Sequence, residues 1–197
     1  MTTMCSRRGL GLLFALTAVL GAASGLAPVR AQDAAPPSGA SIVKPTAYVS
    51  LDRVPRGHDF QIAVVVSIAS GFHMNSHKPS DAYLIATTLT PEIPAGIMLV
   101  DTVYPAGHLE KFAFSPKEPL DVYTGSVTLR LKLSAKPSAA VGHATLPMVL
   151  RFQACNQTTC LPPMKVPVSV QVEVAEAGAA VHPVHSEIFS AANTPTK

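Results

Sequence analysis

Tryptophan is absent from this 197-residue chain, aromatic residues make up 6%, and charged residues 14%. Without tryptophan, the antibody arrangement of a distant cysteine pair packed around a buried indole is excluded. The shortage of charge matters more once its distribution is seen. The first 31 residues hold Arg7, Arg8 and Arg30 and no acid, so the net charge of +3 resides there. Beyond them, twelve basic side chains face twelve acidic ones. No basic stripe remains to neutralise phosphates, which argues against nucleic acid as a partner. No second apolar run approaches the length that spans a bilayer. No segment carries a helical stripe of apolar residues either.

What is present begins with an export pattern. Arg7 and Arg8 precede the apolar run "GLGLLFALTAVLGAASGLA", and "VRA" ends at Ala31 as a small-residue cleavage site. Residues 1–31 are therefore expected to be a signal peptide, removed before Gln32. "SRRGL" also bears a likeness to a twin-arginine signal, which leaves the export route open. Cys5 lies ahead of the apolar run, and no lipobox-like cysteine follows it. The mature chain has the size of one domain, in a compartment where disulfides persist.

The segment 32–45 reads as a flexible leader and 175–197 as a disordered, alanine-rich tail. Between them, over 46–174, the apolar period is two. "VTLRLKL" places Val127, Leu129, Leu131 and Leu133 on one face. "VPVSVQVEV" does the same with Val166, Val168, Val170, Val172 and Val174. "QIAVVVSIA" (61–69) is apolar on both faces, as a central strand should be. Further strands are expected at 47–51, 83–90, 97–103 and 145–154, separated by turn segments rich in Pro and Gly. This pattern predicts an all-β fold, an immunoglobulin-like antiparallel β-sandwich.

Two cysteines follow the signal, in "FQACNQTTCLPP". Along "TLPMVLRFQAC", Leu146, Met148, Leu150, Phe152 and Ala154 share the apolar face, so Cys155 falls on the other, with Arg151 and Gln153. "NQTT" has a common hairpin-loop length, and residues flanking such a loop lie within disulfide range. Pro162 and Pro163 remove backbone donors and favour an irregular or edge position, where a disulfide is open to attack. Three readings stand at this point. The pair can be a plain staple in a non-catalytic binding or chaperone-like sandwich, worth about 2 kcal/mol for so small a loop. It can be a redox centre. Or soft ligands can gather around copper, with His73, Met74 and His77 of "FHMNSH" as candidates.

"GFHMNSHKPSDAYLIATTLT", "GIMLVDTVYPAG", "DVYTGSVTLRLKL" and "LRFQACNQTTCLPP" occur in this order. Together they resemble the amino-terminal periplasmic domain of the DsbD family of thiol:disulfide interchange proteins, over about 45–174. The resemblance implies an immunoglobulin-like domain whose cysteine pair relays electrons to or from thioredoxin-fold periplasmic proteins, in disulfide isomerisation or cytochrome c maturation. It implies no metal and no cofactor.

By position, Cys155 and Cys160 match the redox cysteines, with Cys160 attacking and Cys155 resolving. Asp101, Val103 and Tyr104 fall on a cap loop over the pair, and Phe72, His73 and Asn75 on the segment facing it. Asp101 and His73 are candidates for proton handling. The sequence departs from the family where tyrosines of the facing segment give way around His73 and Asn75. It also carries no multi-helix membrane segment and no thioredoxin-like C-x-x-C unit. The expectation is therefore a reductant in trans, with a membrane electron donor as one candidate, or another use for the pair.

Overall fold

The computed structural model of the chain describes residues 37–190. The expected signal peptide, residues 32–36 of the leader, and 191–197 of the tail lie outside them. A short helix α1 (Gly39–Ile42) leads into twelve strands and a final helix α2 (Ser186–Ser190). The strands are β1 (Val43–Val49), β2 (Val54–Pro55), β3 (Asp59–Ile68), β4 (His73–Asn75), β5 (Thr88–Pro91) and β6 (Ile97–Val103). There follow β7 (His108–Phe112), β8 (Ser115–Tyr123), β9 (Ser126–Ala135), β10 (Gly142–Phe152), β11 (Ala154–Cys155) and β12 (Met164–Ala175).

Two four-stranded sheets, in the orders β1-β3-β9-β6 and β2-β12-β10-β5, form the immunoglobulin-like sandwich. Their pairing is antiparallel, except that the short β2 runs parallel to β12. The period-two stripes face inward. Leu129, Leu131 and Leu133 of β9 are fully buried, as are Leu146, Met148, Leu150 and Phe152 of β10. They meet Ile62, Val64 and Val66 of β3 in one apolar core. β3 lies between β1 and β9, with Ile62, Val64 and Val66 turned to the core and Ala63 buried on the opposite face.

A third sheet, in the order β11-β4-β8-β7, carries the cysteines. It grows out of the sandwich by chain continuity. β10 of one sheet runs on into β11 after Gln153, and β8 runs on into β9 through Thr124 and Gly125. Gly125 takes φ of +63° there, a left-handed turn conformation that a side chain disfavours.

The ends differ from expectation. The first sheet begins at Val43, inside the expected leader. Residues 182–190 are held down where a disordered tail was expected. The His182 N–H donates to Asp52, the Val184 N–H to the Ser50 carbonyl, and the Arg130 guanidinium to the Ile188 carbonyl. The His185 ring packs edge-on against Tyr48. Tyr48, Ala63 and Arg130 are cross-strand neighbours on the outward face of the first sheet. The tail gives that row a cover, and Ala63 is fully buried.

Candidate functional site

Cys155 and Cys160 form a disulfide, with Cα atoms 4.0 Å apart. The hairpin between them is closed by its own polar residues. The Asn156 carboxamide oxygen accepts from the Thr158 and Thr159 N–H groups. The Asn156 N–H donates to the Thr159 carbonyl, and the Leu161 N–H to the Ala154 carbonyl. Residues 161–163 belong to no strand, as two consecutive prolines dictate. β11 is the last strand of its sheet beside β4, and its other side meets only the returning Cys160–Leu161 segment of the hairpin.

Gln153 fixes this hairpin to the rest of the sheet. Its Nε2 donates to the Leu161 carbonyl, while its Oε1 accepts from Asn75 Nδ2 and from the Ile85 N–H. Asn75 Nδ2 also donates to the Ile85 carbonyl. Asn75 is fully buried, so these bonds replace water that cannot reach it.

Across the sheet, Cys155 pairs with His73 and Ala154 with Met74. Side chains alternate, so Met74 and Ala154 enter the main core while Cys155 and His73 take the opposite face. Pointing away from the core does not leave Cys155 open, for it is fully buried. A second apolar cluster of Leu84, Phe112, Leu120 and Val122 lies on that side. The His73 ring stacks on Phe112 at 3.9 Å between centroids, and Phe112 stacks on Phe114 at 5.4 Å. Phe112 is buried and Phe114 is 37% exposed. Cys160 is half-buried. A depression of about 380 Å³ adjoins the hairpin, bounded by Phe72, His73, Glu110 and Gln157 among others.

His73 is 2% exposed, and its Nε2 finds no hydrogen-bond partner among the described residues. Burial disfavours the imidazolium and lowers its pKa to about 4. Glu110 works against that shift and His108 with it.

The other expected residues lie elsewhere. Asp101 and Val103 sit on β6, at the far edge of the first sheet from β1, and Asp101 Oδ2 is 3.5 Å from Lys132 Nζ. Tyr104 stacks on His77 at 3.5 Å, and its hydroxyl accepts from the Leu89 N–H. The residues stacked over His73 are instead Phe112 and Phe114. Their signal in the sequence is the aromatic doublet of "EKFAFSP", set in a charged stretch. The copper candidates also diverge. Met74 is in the core, His73 is under Phe112, and His77 lies against Tyr104 with its Nδ1 2.9 Å from the Thr87 carbonyl oxygen.

Residues 40–171 match the family model described as thiol:disulfide interchange protein DsbD, N-terminal. Among solved structures, the reduced form of the DsbD N-terminal domain of Neisseria meningitidis is similar at 19% identity. The match covers 77% of this chain and 95% of that one, with a TM-score of 0.44. The N-terminal periplasmic domain of ScsB from Proteus mirabilis is similar at 14% identity, over 76% of this chain, with a TM-score of 0.49. The chain spans about half of that ScsB structure, 51% of its length. No curated protein sequence matches the chain.

Proposed function

Because the chain belongs to the family of the DsbD N-terminal domain, we propose that it is a periplasmic thiol–disulfide exchange protein. Its working group is the Cys155–Cys160 pair, and its partners are thioredoxin-fold proteins of the same compartment. The observation that carries this reading is the asymmetric burial of one disulfide at a sheet edge. Cys160 is half-buried and Cys155 fully buried. A partner thiolate attacks Cys160 Sγ, the Cys155–Cys160 bond breaks, and Cys155 is released as the resolving thiol. In the reverse direction Cys155 attacks the mixed disulfide and frees the reduced partner.

Phe112 and Phe114 serve as the cover over the pair. Phe114 and Leu109, the latter 68% exposed, offer an apolar rim where a partner can dock. Export by the segment 1–31, and electron supply by a membrane donor in trans, complete the reading. Disulfide isomerisation and cytochrome c maturation are the pathways it would serve.

A resolving cysteine is what releases a mixed disulfide, so Cys155→Ala should accumulate one through Cys160. Expression in a periplasm, acid quenching and non-reducing electrophoresis would reveal a species that dissolves in reductant and is missing from the double cysteine variant. Trapping by Cys160→Ala alone would reverse the two roles. Failure of both single variants to trap any thiol protein would leave the bond a structural staple.

A further inference from the structure

His73 stands directly across the sheet from Cys155, buried and polar. It is the cross-strand neighbour of Cys155, and directly opposed residues hold their Cβ atoms about 4.5–5.5 Å apart. Phe112 stacks on its ring. A polar ring at 2% exposure with Nε2 unpartnered is unfavourable unless the atom has a use. The other titratable groups facing the ring are Glu110 and His108 of β7, which sit 3.3 Å from each other and are more than a third exposed. The loop closing the disulfide, "NQTT", carries no charge. Asp101 is engaged with Lys132 on β6.

We propose that His73 is the proton acceptor for Cys155 when Cys155 resolves a mixed disulfide at Cys160. The inference rests on the exchange function proposed above. The Cys155 thiol is poorly placed to ionise alone, because burial disfavours a thiolate. In the resolving step the Cys155 Sγ–H proton passes to His73. The thiolate electron pair attacks Cys160 Sγ, and the Cys155–Cys160 bond forms. The bond from Cys160 to the partner sulfur breaks, and that sulfur leaves as a thiolate and is protonated by His73 or water. The cysteine pair loses two electrons and the partner disulfide gains them.

Burial keeps the ring neutral at pH 7, the form that can accept. The thiolate appearing beside it then favours the imidazolium, as opposite charges do in a low-dielectric site. A cysteine whose thiolate is stabilised by a neighbouring imidazolium is an established way to activate a buried sulfur.

Stopped-flow reaction of the reduced protein with 5,5′-dithiobis(2-nitrobenzoate) separates the steps. The first thionitrobenzoate released reports attack by Cys160, and the second reports closure by Cys155. Cys155→Ala should show the first release only. His73→Phe keeps the stack on Phe112, and His73→Gln keeps a polar side chain. Both should slow the second release at pH 7 on the order of 10²-fold, the usual scale of general-base assistance. They should leave the first release unchanged, and the second should recover progressively as pH rises above the ordinary thiol value of about 8.5, where hydroxide can take the proton in place of the ring. A second release as fast as wild type, or slowed by one factor at every pH, would overturn the proposal. A wild-type protein that shows no first release would instead end the exchange reading, and this inference with it.

Discussion

Phe114 and Tyr104 both present an aromatic ring to a histidine, yet the two rings stand over different places. Phe114 extends the stack above His73, the neighbour of Cys155, and Tyr104 lies on His77. An aromatic contact is worth about 0.5–1.5 kcal/mol, so losing one from a cover should raise its open population about two- to tenfold. Phe114→Ala is accordingly expected to speed reduction of the disulfide by dithiothreitol by that factor, with little loss of global stability. Tyr104→Ala should leave the reduction rate alone. It should cost about 2 kcal/mol in a urea melt, through the lost stack and the orphaned Leu89 N–H. The opposite pattern would return Tyr104 to the cover. At His73 the expectation concerns pH. Unfolded, an imidazole titrates near 6.5, whereas burial lowers the folded value to about 4. The unfolded chain binds the proton more readily, so this contribution is full above pH 6.5 and is lost as pH falls toward 4. The loss should total about 3 kcal/mol. Urea unfolding of wild type and His73→Phe at several pH values checks it, for the variant should lack that part of the slope. Equal slopes would show that the ring is not buried neutral.

Among the elements, the long strands were legible because their apolar residues repeat every second position. β6 coincides with its expected range of 97–103, β9 and β12 extend theirs at both ends, and β3 and β10 begin earlier than expected and stop one and two residues sooner. The third sheet was not legible. β4 and β11 are three and two residues long, too short to show a period. Pro116 and Pro119 disguise β8 as a turn, and β7 alternates with charges. The cysteine pair itself could be read from its spacing and surrounding motif. The stack over His73 could not, because Phe112 and Phe114 come from a hairpin some forty positions away from the cysteines and nothing local announces that contact. The disulfide hairpin is a small element with its own support. Asn156 closes the loop and Gln153 ties it to Asn75 and Ile85. Removing the bond by changing both cysteines to alanine should therefore cost only about 2 kcal/mol. The variant is expected to melt cooperatively by circular dichroism, and loss of the transition at growth temperature would favour a staple.

Over the whole molecule, the two faces of the third sheet divide the work: Met74, Tyr123 and Ala154 join the main core, while Cys155 and His73 lie on the other face. The sandwich of the first two sheets holds the main core, and Cys155 is not part of it. The third sheet carries the disulfide, the histidine and the aromatic rings. Under the proposed function, this division would let the cysteine pair open and close without unfolding the domain. A structural bond has no such need and is driven toward strongly reducing potentials. The reduction potential of Cys155–Cys160, measured by equilibration against glutathione or dithiothreitol buffers, separates the two most directly. An exchanging pair is expected above about −300 mV, within reach of thioredoxin-fold partners. A value well below about −300 mV would mark a bond built to stay closed, and would contradict the proposed function.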